Sequence, residues 1–315
     1  MLLAAGRGVR MAPLSEVVAK PALEVLGEPL LASGWRLLVS AGCRPIVVNL
    51  HSHVHQVTTA ARQAAGEDDR LLFSCESDLM GGAGGVEAVE RHFSDGPVLV
   101  ANADTWARLD LRWLRRVNTG DTIHLALLPH PDASRWRSVV LDEAGRVATI
   151  LEPGISDPRP RYLFTGVQRL GAAVRRILPP GPSEWAEVWQ SLQAKGLLLG
   201  TVVQGEWREA GDPEAYRRLV VDLLPPQGSW VHGTASISRG VLLEHSAVGA
   251  GCAVERGAEL TDVVVTAGAR IGQGCRLSAC VVAGSFTLEP VTAQGRLLLP
   301  HADVPLISST RVAQN

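Results

Sequence analysis

Lysine is scarce in this chain. Of its 30 basic residues 28 are arginine, and only Lys20 and Lys195 are lysine. A sequence this partial to the planar guanidinium fork has placed a compact, strongly hydrated point charge at position 20. A basic excess is also missing: the formal charge is -2 at pH 7, so nothing in the composition attracts a nucleic acid backbone, and no nucleic acid partner is expected. Long apolar runs are absent. The opening "MLLAA" ends at Gly6 and Arg7, too short for the core of a secretory signal, and no uncharged run elsewhere reaches the roughly 20 residues of a membrane span. The expectation is a cytoplasmic protein with no membrane partner. The five cysteines (Cys43, Cys75, Cys252, Cys275, Cys280) are odd in number, form no CxxC and lie mostly inside apolar patterns, which argues against a disulfide framework or a zinc site. There is no GxxxxGK[ST], and the glycine-rich opening lacks the third glycine of GxGxxG.

At 315 residues with 46% hydrophobic and 20% charged content, the chain reads as a globular protein of two domains. From residue 2 to about 220, short β-type runs alternate with helical stretches. The strands are expected in "LLA", "PIVVNL" (45 to 50), "RLLFSC" (70 to 75), "PVLVAN" (97 to 102) and "TIHLALL" (122 to 128). Apolar residues at helical spacing occupy 29 to 42, 53 to 66, 84 to 93 and 110 to 117. Such alternation implies βαβ units and a mainly parallel sheet covered on both faces, with ligands at the carboxyl ends of strands. The turn after "LLA" and the "NAD" after "PVLVA" fall at such ends.

After "DLLPPQGSW" helical periodicity ceases and a repeat begins. In rows of 17 the sequence reads "VHGTASISRGVLLEHSA" from 231, "VGAGCAVERGAELTDVV" from 248 and "VTAGARIGQGCRLSACV" from 265. The columns agree: Val231, Val248, Val265; Ile237, Val254, Ile271; Leu243, Leu260, Leu277. One aliphatic residue per flat side, three sides per turn, describes a triangular parallel β-helix whose coils stack into one core. An antiparallel sandwich would instead alternate with period two and need hairpins. The expected domains are therefore 1 to 224 and 229 to 315, with the last 30 or so residues assigned only some β content.

The small residues Ala4, Ala5, Gly6 and Gly8 let backbone approach a ligand and aim several N–H groups into one concavity, which suits phosphate. Arg10 and Lys20 add two cations. The run "LLAAGRGVRMAPLSEVVAKPALEVLGEPLL" resembles the signature of the sugar-1-phosphate nucleotidylyltransferase family, LAAGxGTRLxPLT followed by PKPLxPVxGxPLI. Gly6, Gly8, Arg10, Pro13, Leu14, Lys20, Pro21, Gly27 and Pro29 match it in spacing. "CESDLMGGAGGV", "VANAD", "FTGV" and "GEWREAGDPEAY" are similar to later motifs of that family, and the 17-residue rows resemble the left-handed β-helix caps many of its members carry.

The resemblance implies a Rossmann-like, mainly parallel nucleotidyltransferase domain followed by a left-handed β-helix. It implies transfer of a nucleoside monophosphate from NTP to a sugar 1-phosphate, releasing pyrophosphate. The sugar 1-phosphate is already anionic, so this chemistry needs alignment and charge neutralisation rather than a Ser or Cys nucleophile. The roles implied are Arg10 and Lys20 as catalytic cations; Ala4, Ala5, Gly6, Gly8, Val9, Glu76, Gly81, Gly82 and Gly85 at the nucleotide; Asp104 and Glu209 on Mg²⁺; and Glu152, Thr165 and Gly166 at the sugar. The β-helix suggests the mannose-1-phosphate guanylyltransferase branch, whereas "GRGVRM" and "NADTW" resemble the N-acetylmuramate-1-phosphate uridylyltransferase branch. A regulatory paralogue that binds a nucleotide sugar without making one is the alternative of another class. Glu209 stands where the family has Asp, Asp212 where it has Thr, and Pro153 where a sugar-phosphate lysine would follow Glu152. That last role is either lost or passed to Arg159 or Arg161. His51, His53 and His55 read as solvated residues at a helix entry, His232 and His245 as residues on the β-helix rim, and Trp106 and Trp207 as packing walls. A homo-oligomer is expected, because a β-helix end exposes strand edges.

Overall fold

A computed structural model describes residues 1–115, 120–226 and 228–307. The chain divides into two compact units, one from Met1–Gly6 with Leu31–Trp207, the other from Arg7–Leu30 with Arg208–Asn315. The opening turn is thus shared between them along the chain.

The first unit is built on a nine-stranded sheet. Its main path runs Val147–Leu151, Ser138–Leu141, Tyr162–Leu170, Val98–Asn102, Leu2–Leu3, Ile46–Leu50, Leu71–Cys75, while Ile123–Pro129 lies between Tyr162–Leu170 and Leu198–Val202. Seven strands point the same way; Tyr162–Leu170 and Val147–Leu151 oppose them. Strand Leu2–Leu3 is central, with Leu2 opposite Val48 on one side and Ala101 on the other. Every residue of Ile46–Leu50 is buried, as a strand covered on both faces should be. Helices Ala32–Ser40 and Val54–Ala65 follow the first two parallel strands, as their spacing predicts. Gly34 lets the first of them lie close on the sheet: a Cβ there would stand 2.6 Å from the Leu2 side chain and 2.9 Å from the Asn102 carbonyl. The helix expected at 84 to 93 is shorter and earlier, Gly81–Glu87 followed by a 3-10 turn at Glu90–His92. Of the stretch 110 to 117, residues 116 and 117 lie outside the described residues. The rest holds a 3-10 turn, Arg112–Arg115, nucleated by Asp110, whose carboxylate accepts the Arg112 N–H at 2.9 Å.

In the second unit the expected repeat is realised. Trp230–Val231, Ala247–Val248, Val264–Val265, Val281–Val282 and Arg296–Leu299 stack in parallel as one face, and two four-stranded faces complete the triangle. Partners are 17 residues apart, for example Ile237, Val254 and Ile271. These interior columns are dry, with Val254, Leu260, Val265 and Ile271 at most 1% exposed. One corner uses Gly240, Gly257 and Gly274, all at positive φ. Another puts His245, Asp262 and Ala279 in the same left-handed conformation, and His245 Nδ1 meets Asp262 Oδ1 at 2.8 Å between coils. The tail is more regular than its sequence suggests: Val281–Val282, Thr287–Leu288 and Thr292–Gln294 form a fourth coil, Arg296–Leu299 begins a fifth, and Ala302–Pro305 pairs antiparallel with it. The last step there is 16 residues, Leu277 to Ala293, which takes it out of the 17-residue frame.

Candidate active site

Within the first unit, the strand carboxyl ends bring together the start of the opening turn, Glu76, Asp104 and the Gly166 bend. Ala4 and Ala5 are buried, so only their backbone can face a ligand. The Ala4 N–H is already committed: it donates to Asn49 Oδ1 at 2.7 Å. Asn49 Nδ2 in turn donates to Glu76 Oε1 at 2.8 Å, and Glu76 Oε2 accepts the Met80 N–H at 3.1 Å. His51 Nδ1 lies 3.2 Å from the Glu76 carbonyl. Glu76 therefore acts as a strut joining three segments, through Asn49, a residue that sequence reasoning missed. The available signal was a single polar side chain in an otherwise apolar, buried strand, Ile46–Leu50.

The glycines of 81 to 85 split into two groups. A Cβ on Gly81 would stand 2.6 Å from the Ser183 carbonyl, on Gly82 2.4 Å from the Trp185 ring, and on Gly84 2.4 Å from the Gly181 carbonyl. These three admit the chain segment 181 to 185, whose Ser183 carbonyl also accepts the Ala83 and Gly84 N–H groups. Gly85 instead faces Asn49 Nδ2 and Glu76 Oε1, both at 3.0 Å from its Cβ position.

Asp104 follows the strand Val98–Asn102, and the Ala103 N–H before it donates to the Leu3 carbonyl at 2.9 Å. The metal candidate thus stands at the same sheet end as Ala4 to Gly6. Gly166 (φ 82) rests on the Asn102 side chain, whose atoms would be 3.1 Å from a Cβ. Thr165 is fully buried, and its hydroxyl donates to the Ala126 carbonyl at 2.9 Å and accepts the Val167 N–H at 3.3 Å. That leaves no exposed hydroxyl at position 165 for a sugar. Glu152 is exposed and paired with Arg137, Nε to Oε1 2.8 Å.

The second unit holds the cations. Gly8 takes a left-handed conformation (φ 60) that favours glycine, and the Lys20 Cβ lies 3.5 Å from where its own Cβ would be. Lys20 is 8% exposed, in the 3-10 turn Lys20–Ala22, so the turn and the lysine stem are packed together. Val9 is 75% exposed. Arg10 Nη1 stands 3.8 Å from Glu209 Oε1, and that carboxylate curls over Gly211, with Oε1 2.2 Å from the Gly211 Cβ position. Asp212 caps the helix Pro213–Asp222, accepting the Ala215 N–H at 2.8 Å ahead of a proline at the first turn. This accounts for its departure from the family pattern without any role at an anion. Among the described residues no group of three or more His, Cys, Asp or Glu side chains could hold a metal ion. Mg²⁺ does not require one, since it takes one or two carboxylates and completes its shell with substrate phosphate and water. The hard oxygens of Asp104 and Glu209 are the right donor type.

The nucleotidyl transferase family model matches residues 1–224. The chain belongs to the nucleotidyl transferase family. A second model, GlmU-like C-terminal hexapeptide, matches residues 226–296, which agrees with the left-handed β-helix. The chain is 28% identical to the N-acetylmuramate alpha-1-phosphate uridylyltransferase of Caulobacter vibrioides, over 68% of its own length and 92% of that protein. It is 26% identical to the mannose-1-phosphate guanylyltransferase of Mycobacterium tuberculosis, over 77% of its own length and 72% of that protein. In fold it is similar to HddC from Yersinia pseudotuberculosis (TM-score 0.60, 19% identity, 70% of this chain and 97% of that one). It is likewise similar to a putative glucose-1-phosphate thymidylyltransferase from Bacillus anthracis (TM-score 0.59, 20% identity, 70% and 92%). The first two relatives are by name nucleotidyltransferases of a sugar 1-phosphate, and this chain shares the nucleotidyl transferase family. No helix among its described residues is long and apolar enough to cross a membrane.

Proposed function

We propose that this nucleotidyl transferase joins the nucleoside monophosphate of an NTP to a sugar 1-phosphate and releases pyrophosphate. The observation that carries the reading is the packed turn in which Gly8, at positive φ, lies against the stem of a nearly buried Lys20. In this reading Lys20 meets the α-phosphate, and Arg10 with the amides of Gly6 to Val9 meets the β- and γ-phosphates. The substrate phosphate oxygen attacks the α-phosphorus directly, so no side-chain nucleophile is required. Asp104 and Glu209 would hold Mg²⁺, which supplies neutralisation of charge on the departing pyrophosphate. The strut Ala4, Asn49, Glu76 and Met80 holds the nucleotide turn, with Gly85 the glycine that faces it.

The β-helix favours guanylyl transfer to mannose 1-phosphate. A second reading, uridylyl transfer to N-acetylmuramate 1-phosphate, is supported by the 28% identity to the Caulobacter vibrioides uridylyltransferase over 92% of that protein. Pyrophosphate release from GTP and UTP, each paired with both sugar phosphates in the presence of Mg²⁺, separates them. Binding of a nucleotide sugar with no release in any pair would instead identify a regulatory paralogue.

A further inference from the structure

Strand register sets Arg137 opposite Glu152 at one edge of the first unit. Ser138 faces Leu151 across the Ser138–Leu141 and Val147–Leu151 hairpin, and faces Leu163 on its other side. One residue farther out stand Arg137, Glu152 and Phe164, the last running straight into the Thr165 and Gly166 bend. Arg137 Nε donates to Glu152 at 2.8 Å and 3.1 Å. The Trp136 ring one residue before it is committed to packing, edge to face with Trp207 (centroids 5.3 Å apart) and His130 (5.1 Å), with the Arg135 guanidinium 5.4 Å from its centroid. A guanidinium and an acceptor carboxylate on adjacent strands are groups that recognise an anionic carbohydrate: hydroxyls on the carboxylate, an anion on the arginine.

The two loop arginines expected to supply this cation are engaged elsewhere. Arg159 grips Asp157 with Nε at 3.0 Å and Nη2 at 2.7 Å, and holds that carboxyl down to about 2. Arg161 donates Nη2 to the Ile155 carbonyl. Arg137 and Glu152, by contrast, are 62% and 60% exposed, so water screens their pairing and a substrate anion can replace it.

Resting on the proposed sugar 1-phosphate chemistry, we propose that Arg137 binds the anionic group of the sugar substrate, either its 1-phosphate or a carboxylate carried on the ring. In this site Glu152 takes the hydroxyls. The test is steady-state kinetics of the full chain and of R137M and R137K, with N-acetylmuramate 1-phosphate and with mannose 1-phosphate, a sugar phosphate that carries no ring acid. R137M should raise the sugar KM about 10- to 100-fold, the value of a charge-assisted contact, while the NTP KM stays unchanged and R137K recovers part of the loss. A rise with both sugars assigns Arg137 to the 1-phosphate, and a rise with the acid sugar alone assigns it to the ring carboxylate. An unchanged sugar KM with both sugars in R137M overturns the proposal. Should the native chain release no pyrophosphate with any pair, the functional reading fails separately, and calorimetric binding of the same two sugar phosphates decides Arg137. Tighter binding by the native chain than by R137M supports the assignment, and equal or absent binding refutes it.

Discussion

Replacing Asn49 by alanine tests the strut that holds the opening turn. Asn49 is 2% exposed and spans two hydrogen bonds, accepting from Ala4 at 2.7 Å and donating to the Glu76 carboxylate at 2.8 Å. The substitution leaves the buried Ala4 N–H without an acceptor, at a cost of about 1 to 3 kcal/mol, and removes a bond to a charged group worth about 1.5 to 3 kcal/mol. Glu76 is only part-buried, so water recovers some of the second term, and a net loss of about 3 kcal/mol is expected. For a unit of this size each kcal/mol shifts the midpoint by about 2 to 4 °C, giving a fall of about 6 to 12 °C for the first unit in scanning calorimetry of the full chain. A midpoint shift under about 2 °C for Asn49→Ala would refute the strut.

Three other substitutions read separate features. Glu24, whose Oε1 is buried without a partner, is pushed above its ordinary value by burial, with the Ala250 N–H and His232 opposing. Its contribution is therefore complete below about pH 4.5 and declines as pH rises through the raised pKa. Glu24→Gln should thus gain in melting temperature over the native chain progressively from pH 4.5 to 7. In the β-helix, Ile237 and Ile271 share one column but are 36% and 0% exposed, so Ile271→Ala should cost about 2 to 5 kcal/mol in denaturant unfolding and Ile237→Ala under about 1. Asp212→Ala should lose about 1 kcal/mol of helix cap while keeping turnover, in melts and pyrophosphate assays run side by side.

Local and periodic features were legible in the sequence, while contacts between distant segments were not. The β-helix announced itself because similar coils repeat the same column residues, and its fourth coil hid because a 16-residue step broke the frame. The parallel strands stood out as apolar runs, whereas Ser138–Leu141 and Val147–Leu151 are short and part of an antiparallel edge. Gly81, Gly82 and Gly84 resemble a ligand-binding turn but are small because residues 181 to 185, a hundred positions away, pass over them. Asn49 joins Ala4 across 45 residues, and Arg137 meets Glu152 only through hairpin register. Asp212 could have been read, since Asp before Pro and Glu is an N-cap pattern.

The most direct test is pyrophosphate release by the native chain, K20A and D104A, with and without sugar 1-phosphate and with Mg²⁺ or chelator. Release should require NTP, sugar 1-phosphate and Mg²⁺ together, and either substitution should lower it at least about 100-fold while the chain still unfolds cooperatively. Full turnover in K20A or D104A, or release that needs no sugar phosphate, would contradict catalysis by charge neutralisation of two anionic substrates.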